Sequence, residues 1–179
     1  MAIGVKAGLA RTLVLNDPEK AIEIIDQVSA DAQAALASLR EMTRGAYPPI
    51  LADDGLAAAL TSTAAAAALS VTVNAEVVGR LPKPIEIATY FCCTEAIQNA
   101  AKHADASSVV ITLRSRVGAF TFSVLDDGEG FDPSTMRRGV GMRSMTERVE
   151  SLGGALEVRS EVGRGTAISA TIPVHTAFG

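Results

Sequence analysis

One stretch of the sequence combines residue types that suit a metal ion and a phosphate chain. In the string TEAIQNAAKHA, Glu95 and Asn99 are four positions apart, and Lys102 follows three positions later. This spacing places the three side chains on one face of a helix. A carboxylate, a neutral oxygen ligand and an ammonium group together suit Mg²⁺ and a triphosphate. The alternative is a solvated helix face with an intrahelical ion pair, which is the usual fate of such charges.

Three glycine clusters form a second candidate feature. They are DDGEG at residues 126–130, GVG at residues 139–141 and GRGT at residues 163–166. Glycine lets the backbone approach a ligand closely or adopt a positive φ, although each cluster alone is more typical of an ordinary turn. The sequence contains no Walker A motif, no dinucleotide fingerprint and no protein-kinase catalytic motif. A nucleotide would therefore be held by other means.

The composition is that of a globular protein and excludes several functions. The 179 residues are 48% hydrophobic and 20% charged, which is enough to bury a core. A net charge of -4 and only 4% aromatic residues argue against nucleic acid as a partner. The adjacent Cys92 and Cys93 cannot bridge distant segments, so we predict a reducing, cytoplasmic setting. The longest apolar run, at residues 64–69, is too short to span a bilayer, and we expect no direct membrane contact.

The elements that position these residues fall into two predicted domains. Residues 3–15 and 18–44 are predicted as helices, the second with an apolar seam at spacings of three and four, and a short turn joins them into a hairpin. The glycine and prolines at residues 45–49 end the second helix. We therefore predict a helical domain at residues 1–46 and a second domain at residues 47–179.

The second domain is predicted to contain three helices and five strands. In chain order they are a helix from Asp53 or Asp54 to Leu69, a strand at 71–77, a helix at 83–103, strands at 108–116 and 119–126, a helix at 143–152, and strands at 155–160 and 166–174. This order predicts an α+β fold in which helices cover one face of a mixed or mostly antiparallel sheet.

The motifs occur in an order that is similar to a known family. TEAIQNAAKHA, DDGEGFD, GVGMRSMTERV and GRGTAISATIP resemble the N, G1, G2 and G3 boxes of the GHKL ATPases, and most closely those of two-component sensor histidine kinases. LREMTRGAYPPIL resembles the end of the dimerisation helix and the linker in the NarL/DesK-like subfamily. The resemblance covers nearly the whole chain. It implies a two-layer α/β sandwich, the GHKL or Bergerat ATP-binding fold, preceded by a helical hairpin.

The resemblance implies roles for the residues that would receive the adenine end of ATP. Asp126 would accept a hydrogen bond from the exocyclic amine of adenine. Gly128 and Gly130 would let the chain pass close to the base. Thr166 would support the base through its hydroxyl, directly or by way of water, and the neighbouring Gly165 belongs to the same box.

The resemblance also implies roles at the phosphate end. Asn99 would bind Mg²⁺, and Lys102 or His103 would contact phosphate oxygens. Glu95 would be the general base that polarises the imidazole of an acceptor histidine.

A lid over the triphosphate is implied as well. It would comprise approximately residues 131–142, and Gly139 and Gly141 would act as its hinges. Basic side chains would give it a charge opposite to that of the whole chain: Arg137, Arg138 and Arg143.

The phospho-accepting histidine of the family has no counterpart in this sequence. No histidine lies in residues 1–102, and the only two in the chain are His103 and His175. We therefore expect a catalytic fragment, or a naturally shortened relative, that binds ATP but cannot phosphorylate itself. It would donate the γ-phosphoryl group to a histidine elsewhere, for relay to an aspartate of a response regulator.

Several alternatives stay open from the sequence. The expected partners are a response regulator, the phospho-acceptor helix of the parent kinase and a second copy bound through residues 3–44, but the apolar seam could instead pack against the catalytic domain. The chain could also be a nucleotide-binding or dimerisation module without transfer activity, or another GHKL ATPase. The parent protein could be anchored in a membrane.

Overall fold

The computed structural model describes residues 3–14, 16–29, 48–76, 79–132 and 139–174. The chain divides into two compact units, Met1–Ala46 and Tyr47–Gly179. Each unit is described by itself.

The first unit contains two helices joined by a tight turn. Helix α1 spans Ile3–Leu13, and helix α2 covers residues 18–29 as far as it is described. The backbone N–H of Asp17 donates to the carbonyl of Leu13 at 2.7 Å, and its side chain accepts from the N–H of Lys20 at 3.2 Å. An aspartate in this position satisfies an N–H of the first helical turn, which explains why α2 begins here.

Small residues are buried in this unit while several large apolar side chains are exposed. Ala10 and Ala21 are buried, whereas four larger residues are roughly half exposed: Leu9, Val14, Ile22 and Ile25. Ile22 and Ile25 begin the predicted apolar seam. Val28, the next residue of the seam, is half-buried. The seam from residue 32 onwards lies outside the described residues, as does the glycine and tyrosine part of the predicted boundary at residues 45–49.

The second unit has the predicted order of elements, with one additional short helix at its start. The elements are α3 (Pro49–Asp53), α4 (Gly55–Ala65), β1 (Ser70–Glu76), α5 (Lys83–His103), β2 (Ser108–Arg116), β3 (Ala119–Asp126), α6 (Val140–Glu150), β4 (Ala155–Ser160) and β5 (Thr166–Pro173). The prediction of α5, β2, β3 and β4 is confirmed residue for residue.

The five strands form one sheet in the order β1-β2-β3-β5-β4. Strands β1 and β2 pair in parallel, and the other three pairings are antiparallel. The predicted mixed, mostly antiparallel sheet is therefore confirmed. Helix α4 contacts β1, α5 contacts β2 and β3, and α6 contacts β4, which makes a helical layer against the sheet.

The alternation of the strands explains which face of the sheet is covered. Every second residue of β2, β3 and β5 is buried, and the register aligns these residues in rows such as Ile111–Val124–Ile168 and Leu113–Phe122–Ala170. A strand with period-two burial has one face against a core. Helix α5 covers this core with residues at helical spacing, including the buried side chains of Cys92 and Cys93, neither of which forms a disulfide.

Two predicted helix boundaries are wrong. Helix α4 ends at Ala65 rather than Leu69, and Asp54 occupies its N-cap position without a side-chain hydrogen bond. Helix α6 begins at Val140, three residues before the predicted start, because the glycine cluster at residues 139–141 supplies its N-cap and part of its first turn rather than an extended loop. The other predicted bounds that the structure describes differ from the observed ones by no more than two residues.

An ion pair between the buried Glu86 and the half-exposed Arg80 fixes the start of α5. Glu86 is fully buried, and its carboxylate accepts from Arg80 Nε at 3.0 Å and from Arg80 Nη2 at 3.1 Å. Arg80 Nη1 also donates to the carbonyl of Ala52 in α3 at 2.9 Å. A buried carboxylate needs such partners because desolvation is otherwise costly.

In the described residues, no helix is both long enough and apolar enough to cross a membrane.

Candidate nucleotide-binding site

Three polar residues end the otherwise apolar covered face of the sheet. Asp126 follows Phe120, Phe122 and Val124 at alternate positions of β3, so it lies on the same face as these buried residues. Thr166 in β5 is paired with Asp126, and Ser160 in β4 is paired with Thr166. The register therefore places Asp126, Thr166 and Ser160 in one row, called here the polar row.

Asp126 is held by two backbone hydrogen bonds to the same oxygen. Its Oδ1 accepts from the N–H of Gly128 at 3.0 Å and from the N–H of Thr166 at 3.1 Å. In the described part of the chain, Oδ2 has no hydrogen-bond partner. The carboxylate is therefore oriented by the backbone while one oxygen keeps its capacity to accept.

The glycines beside the polar row are required by close packing of backbone on backbone. Gly165 has φ +74° and Gly130 has φ +61°, and a Cβ at either position would overlap a carbonyl oxygen, that of Asp126 or of Glu161 respectively. A Cβ at Gly128 would overlap Ala104, the residue that follows α5. The DDGEG and GRGT clusters are thus packed together and against the end of α5.

The neighbouring Asp127 connects the DDGEG cluster to the start of β2 through hydrogen bonds. The sequence analysis did not predict this role. Its carboxylate accepts four hydrogen bonds from the N–H and hydroxyl groups of Ser107 and Ser108, at 2.6–2.9 Å. These hydrogen bonds, led by that of the Ser107 hydroxyl, hold the pKa of the Asp127 carboxyl well below its ordinary value. The serine pair directly before a strand, opposite an aspartate at the end of its partner, is the signal that could have indicated it.

Ser160 is the second residue that sequence reasoning missed. Its hydroxyl lies 3.1 Å from the Thr166 hydroxyl and 2.9 Å from the carbonyl of Gly165, and it accepts from the N–H of Phe131 at 2.9 Å. The alternation of Leu156, Val158 and Ser160 along β4 could have placed it on the covered face.

Helix α5 carries the candidate phosphate-binding residues in its second half. Glu95 and Asn99 are half-buried, whereas Lys102 and His103 are exposed in the last turn. Because the residue after α5, Ala104, accepts from the N–H of Glu129 at 2.7 Å, the end of this helix adjoins the DDGEG cluster. The fold thus brings the two sets of candidate residues into one part of the second unit.

The first turn of α6 lies against Glu95. A Cβ at Gly141 would overlap Glu95 Oε1, so the carboxylate packs on the glycine backbone. Gly139 is exposed, and a Cβ there would have nothing within 4 Å. Arg143 is exposed and pairs with Glu147 at 2.7 Å, which raises the pKa of Arg143. The middle of the predicted lid, with Arg137 and Arg138, lies outside the described residues, so the lid and its hinges stay a prediction.

The residues present fit a magnesium nucleotide. An oriented carboxylate and a neighbouring hydroxyl can accept from an amine. One amide oxygen, from Asn99, suits Mg²⁺, which is held by one or two protein ligands together with water and phosphate oxygens. The described residues contain no cluster of three or more His, Cys, Asp or Glu side chains that could hold a metal ion.

Comparison with known proteins defines the class to which this fold and site belong. Residues 85–176, just over half of the chain, match the family of histidine kinase-, DNA gyrase B- and HSP90-like ATPases. The chain belongs to this family, whose ATPase domain implies ATP binding.

The relatives narrow the class to sensor histidine kinases. The histidine-protein kinase/phosphatase DegS of Brevibacillus brevis is 39% identical over 98 residues, which are 54% of this chain and 25% of DegS. An uncharacterized sensor-like histidine kinase of Chloroflexus aurantiacus is 29% identical over an alignment of 188 positions, covering 97% of this chain and 32% of that protein. The chain thus spans a quarter to a third of these curated relatives. It contains the catalytic ATPase domain of a sensor histidine kinase, as the motifs predicted.

Solved structures support the same fold. The histidine kinase domain of the Erythrobacter litoralis EL346 blue-light activated kinase matches with a TM-score of 0.50 and 29% identity, over 66% of this chain and 57% of that one. The longer structure of the same kinase has a TM-score of 0.54 at 24% identity, over 97% of this chain and 60% of that one, and shows the fold alone. The predicted GHKL-type sandwich with preceding helices is confirmed.

Proposed function

We propose that this chain binds Mg-ATP with Asp126 and Thr166 of its polar row and the adjoining face of α5, and donates the γ-phosphoryl group to a histidine of another chain or segment. The observation that carries the proposal is the hydrogen-bonded pairing of Asp126 and Thr166 beside the end of α5. This arrangement offers an oriented acceptor for the amine of adenine. The phosphorylated histidine would then supply the aspartate of a response regulator.

The residues of α5 would act at the other end of the nucleotide. Asn99 would hold Mg²⁺, while Lys102 and His103 would contact phosphate oxygens. The metal, when bound, neutralises charge on the phosphates. Phosphoryl transfer has a loose transition state, so positioning and neutralisation account for most of the catalysis. The cationic side chains of α5 would assist from the last helical turn.

Glu95 would accept a hydrogen bond from the acceptor imidazole. A neutral imidazole needs one nitrogen directed at the phosphorus and its other N–H held by a base. The packing of Glu95 on Gly141 supports this role, because a residue at the start of α6 then determines where the carboxylate lies. In this proposal, Gly139 and Gly141 link Glu95 to a lid that closes on the phosphates, with Arg143 at its end.

The domain arrangement belongs to the same proposal. Residues 1–46 would be part of a dimerisation hairpin of the NarL/DesK-like type, and residues 47–179 the catalytic domain. The exposed Leu9, Val14, Ile22 and Ile25 support a partner helix for the first unit. We place the catalytic domain in the cytoplasm. Sedimentation at several concentrations tests the dimer: a mass that stays monomeric throughout would contradict it.

Incubation with ATP labelled at the γ-phosphate tests the transfer. The chain alone should remain unlabelled, since no histidine precedes His103. Adding the acceptor region of the DegS kinase should give acid-labile label on that region, and its histidine-to-alanine variant should take up none. Acid-labile label on this chain would contradict the missing acceptor, and no label on either protein would contradict transfer.

A second candidate is a module that binds ATP and regulates a partner without transfer. The observation in its favour is the absence of a histidine from residues 1–102. The same incubation separates the two, because such a module would bind ATP and never label the added acceptor.

A further inference from the structure

Ser160 lies at the end of the polar row and has no role in the function proposed above. Its Oγ contacts three parts of the adenine end at once: the carbonyl of Gly165, the hydroxyl of Thr166 and the backbone N–H of Phe131. All three distances are between 2.9 and 3.1 Å. One half-buried hydroxyl therefore joins the GRGT cluster, strand β5 and the segment that follows the DDGEG cluster.

The direction of each hydrogen bond follows from counting donors and acceptors. A serine hydroxyl has one proton and two lone pairs. The carbonyl of Gly165 only accepts, so it takes the proton of Ser160. The N–H of Phe131 only donates, so it occupies one lone pair. The second lone pair remains for Thr166, whose hydroxyl must then donate to Ser160.

The opposite assignment is less favourable. If Ser160 donated to Thr166, the two oxygens of Ser160 and Gly165 would face each other at 2.9 Å without a proton between them. Gly165 is buried, and a buried carbonyl without a donor costs free energy. The geometry thus favours a single orientation of the Thr166 hydroxyl.

This orientation determines what Thr166 offers to a ligand. Its proton is committed to Ser160, so the remaining capacity of its oxygen is to accept. Asp126 beside it is a carboxylate and also accepts. The adenine end of the site therefore offers acceptors on both residues. Adenine presents the two N–H groups of its amine at this position, whereas guanine and hypoxanthine present a carbonyl oxygen, which such a site rejects.

We propose that Ser160 is a positioning residue for base specificity: it orients the Thr166 hydroxyl as an acceptor, and the site thereby selects adenine over a base with a carbonyl at the same position. The inference rests on the proposed function, because it takes Asp126 and Thr166 as the residues that receive the base. Ser160 itself does not touch the nucleotide.

The test compares the affinities for Mg-ATP and Mg-ITP, two nucleotides that differ at this position of the base. Calorimetry, with displacement of ATP for the weaker nucleotide, gives the ratio of the two dissociation constants. Ser160→Ala should lower the preference for ATP about three- to tenfold, the effect of one hydrogen bond, because the released Thr166 hydroxyl can turn its proton towards a carbonyl. Ser160→Cys, whose thiol donates weakly, should lower it in the same direction and serves if the alanine variant does not fold.

The matched control is Ser151→Ala. The Ser151 hydroxyl also donates to a backbone carbonyl, that of Arg148 at 2.8 Å, but it lies at the end of α6. This variant should keep the ratio of the wild-type chain. Ser160→Thr, which retains the hydroxyl, should keep it as well.

A double-mutant cycle separates orientation of Thr166 from general support of the fold. In a Thr166→Val background there is no hydroxyl to orient, so Ser160→Ala should change the ratio less than twofold. A purely structural serine would lower the ratio by the same factor in both backgrounds, which would overturn the inference. An unchanged ratio in Ser160→Ala would also overturn it while leaving the proposed function intact. Failure of the wild-type chain to bind ATP, or to prefer it over ITP, would instead contradict the proposed function.

Discussion

The two ends of the candidate site differ in how far they are built before any nucleotide arrives. At the adenine end, Asp126, Ser160 and Thr166 are joined to one another or to the backbone by hydrogen bonds of 2.9–3.1 Å. Three glycines there are packed so closely that a methyl group would overlap backbone: Gly128, Gly130 and Gly165. At the phosphate end, Lys102 and His103 are exposed and Gly139 has open space around it.

The two ends need different degrees of order before the nucleotide binds. Base recognition depends on the direction of a few hydrogen bonds, and pre-organised groups keep those directions without further ordering. Charge neutralisation depends on distance more than on direction, so solvated side chains on one helix can serve it. Glu95 is the exception at the phosphate end, because it packs against Gly141.

The largest expected effect is a loss of stability caused by a substitution at the adenine end. Gly165→Ala places a side chain in the left-handed region and against the carbonyl of Asp126, so we expect it to lower the free energy of unfolding by about 3 kcal/mol. Gly139→Ala is the matched control at the phosphate end and should cost less than about 1 kcal/mol. Urea unfolding measures both, and equal losses would remove the distinction between the two ends.

The next effect concerns base recognition. Asp126→Asn turns part of the acceptor into a donor, and the loss of one charge-assisted hydrogen bond of about 1.5–3 kcal/mol should weaken ATP binding roughly 10- to 150-fold. It should also reduce the preference for ATP over GTP. Calorimetry checks both, with Asp105→Asn at an exposed position as the control. A retained preference would contradict the role of Asp126.

At the phosphate end we expect an effect on affinity without an effect on stability. Asn99→Asp places a carboxylate among phosphates and should weaken Mg-ATP binding about tenfold, since charge repulsion near a surface amounts to a few kcal/mol at most. Gln98→Glu makes the same chemical change one position away, on an exposed residue. Unchanged affinity in Asn99→Asp, or an equal loss in the control, would place the phosphates elsewhere.

The smallest effect appears with pH. The folded-state pKa of Asp127 is lowered, so its contribution to stability is complete above the ordinary aspartate pKa and is lost as the pH falls below about 4. Asp127→Asn has no carboxyl group to protonate at this position, so its stability should fall less steeply than that of the wild-type chain as the pH drops below about 4. If the melting temperatures of the two chains depended on pH in the same way, the hydrogen bonds of Asp127 would contribute nothing to stability.

Much of the second unit could be predicted from the sequence because its patterns are local. The bounds of β2, β3 and α5 were predicted directly from the sequence, and the four motifs in their order indicated the family. Helix α6 was predicted to start too late because a Gly-Val-Gly run is typical of loops, whereas in the structure Gly139 is the N-cap of α6 and Gly141 packs on Glu95.

The hydrogen-bond partners inside the site could not be predicted, since they depend on register between strands that are distant in sequence. Ser160 becomes part of the site because β4 pairs with β5, and Thr166 in turn pairs with Asp126. The clamp of Asp127 on Ser107 and Ser108 has the same origin, the pairing of β2 with β3. The serine pair and the alternation along β4 are local signals, but the partner of each residue follows only from the pairing of the strands.

Titration of the wild-type chain with Mg-ATP and Mg-GTP by calorimetry tests the central claim most directly. A pre-built adenine end predicts saturable binding of one Mg-ATP per chain, at least about tenfold tighter than Mg-GTP. Absence of binding, or equal affinity for the two nucleotides, would contradict the assignment of this site to ATP.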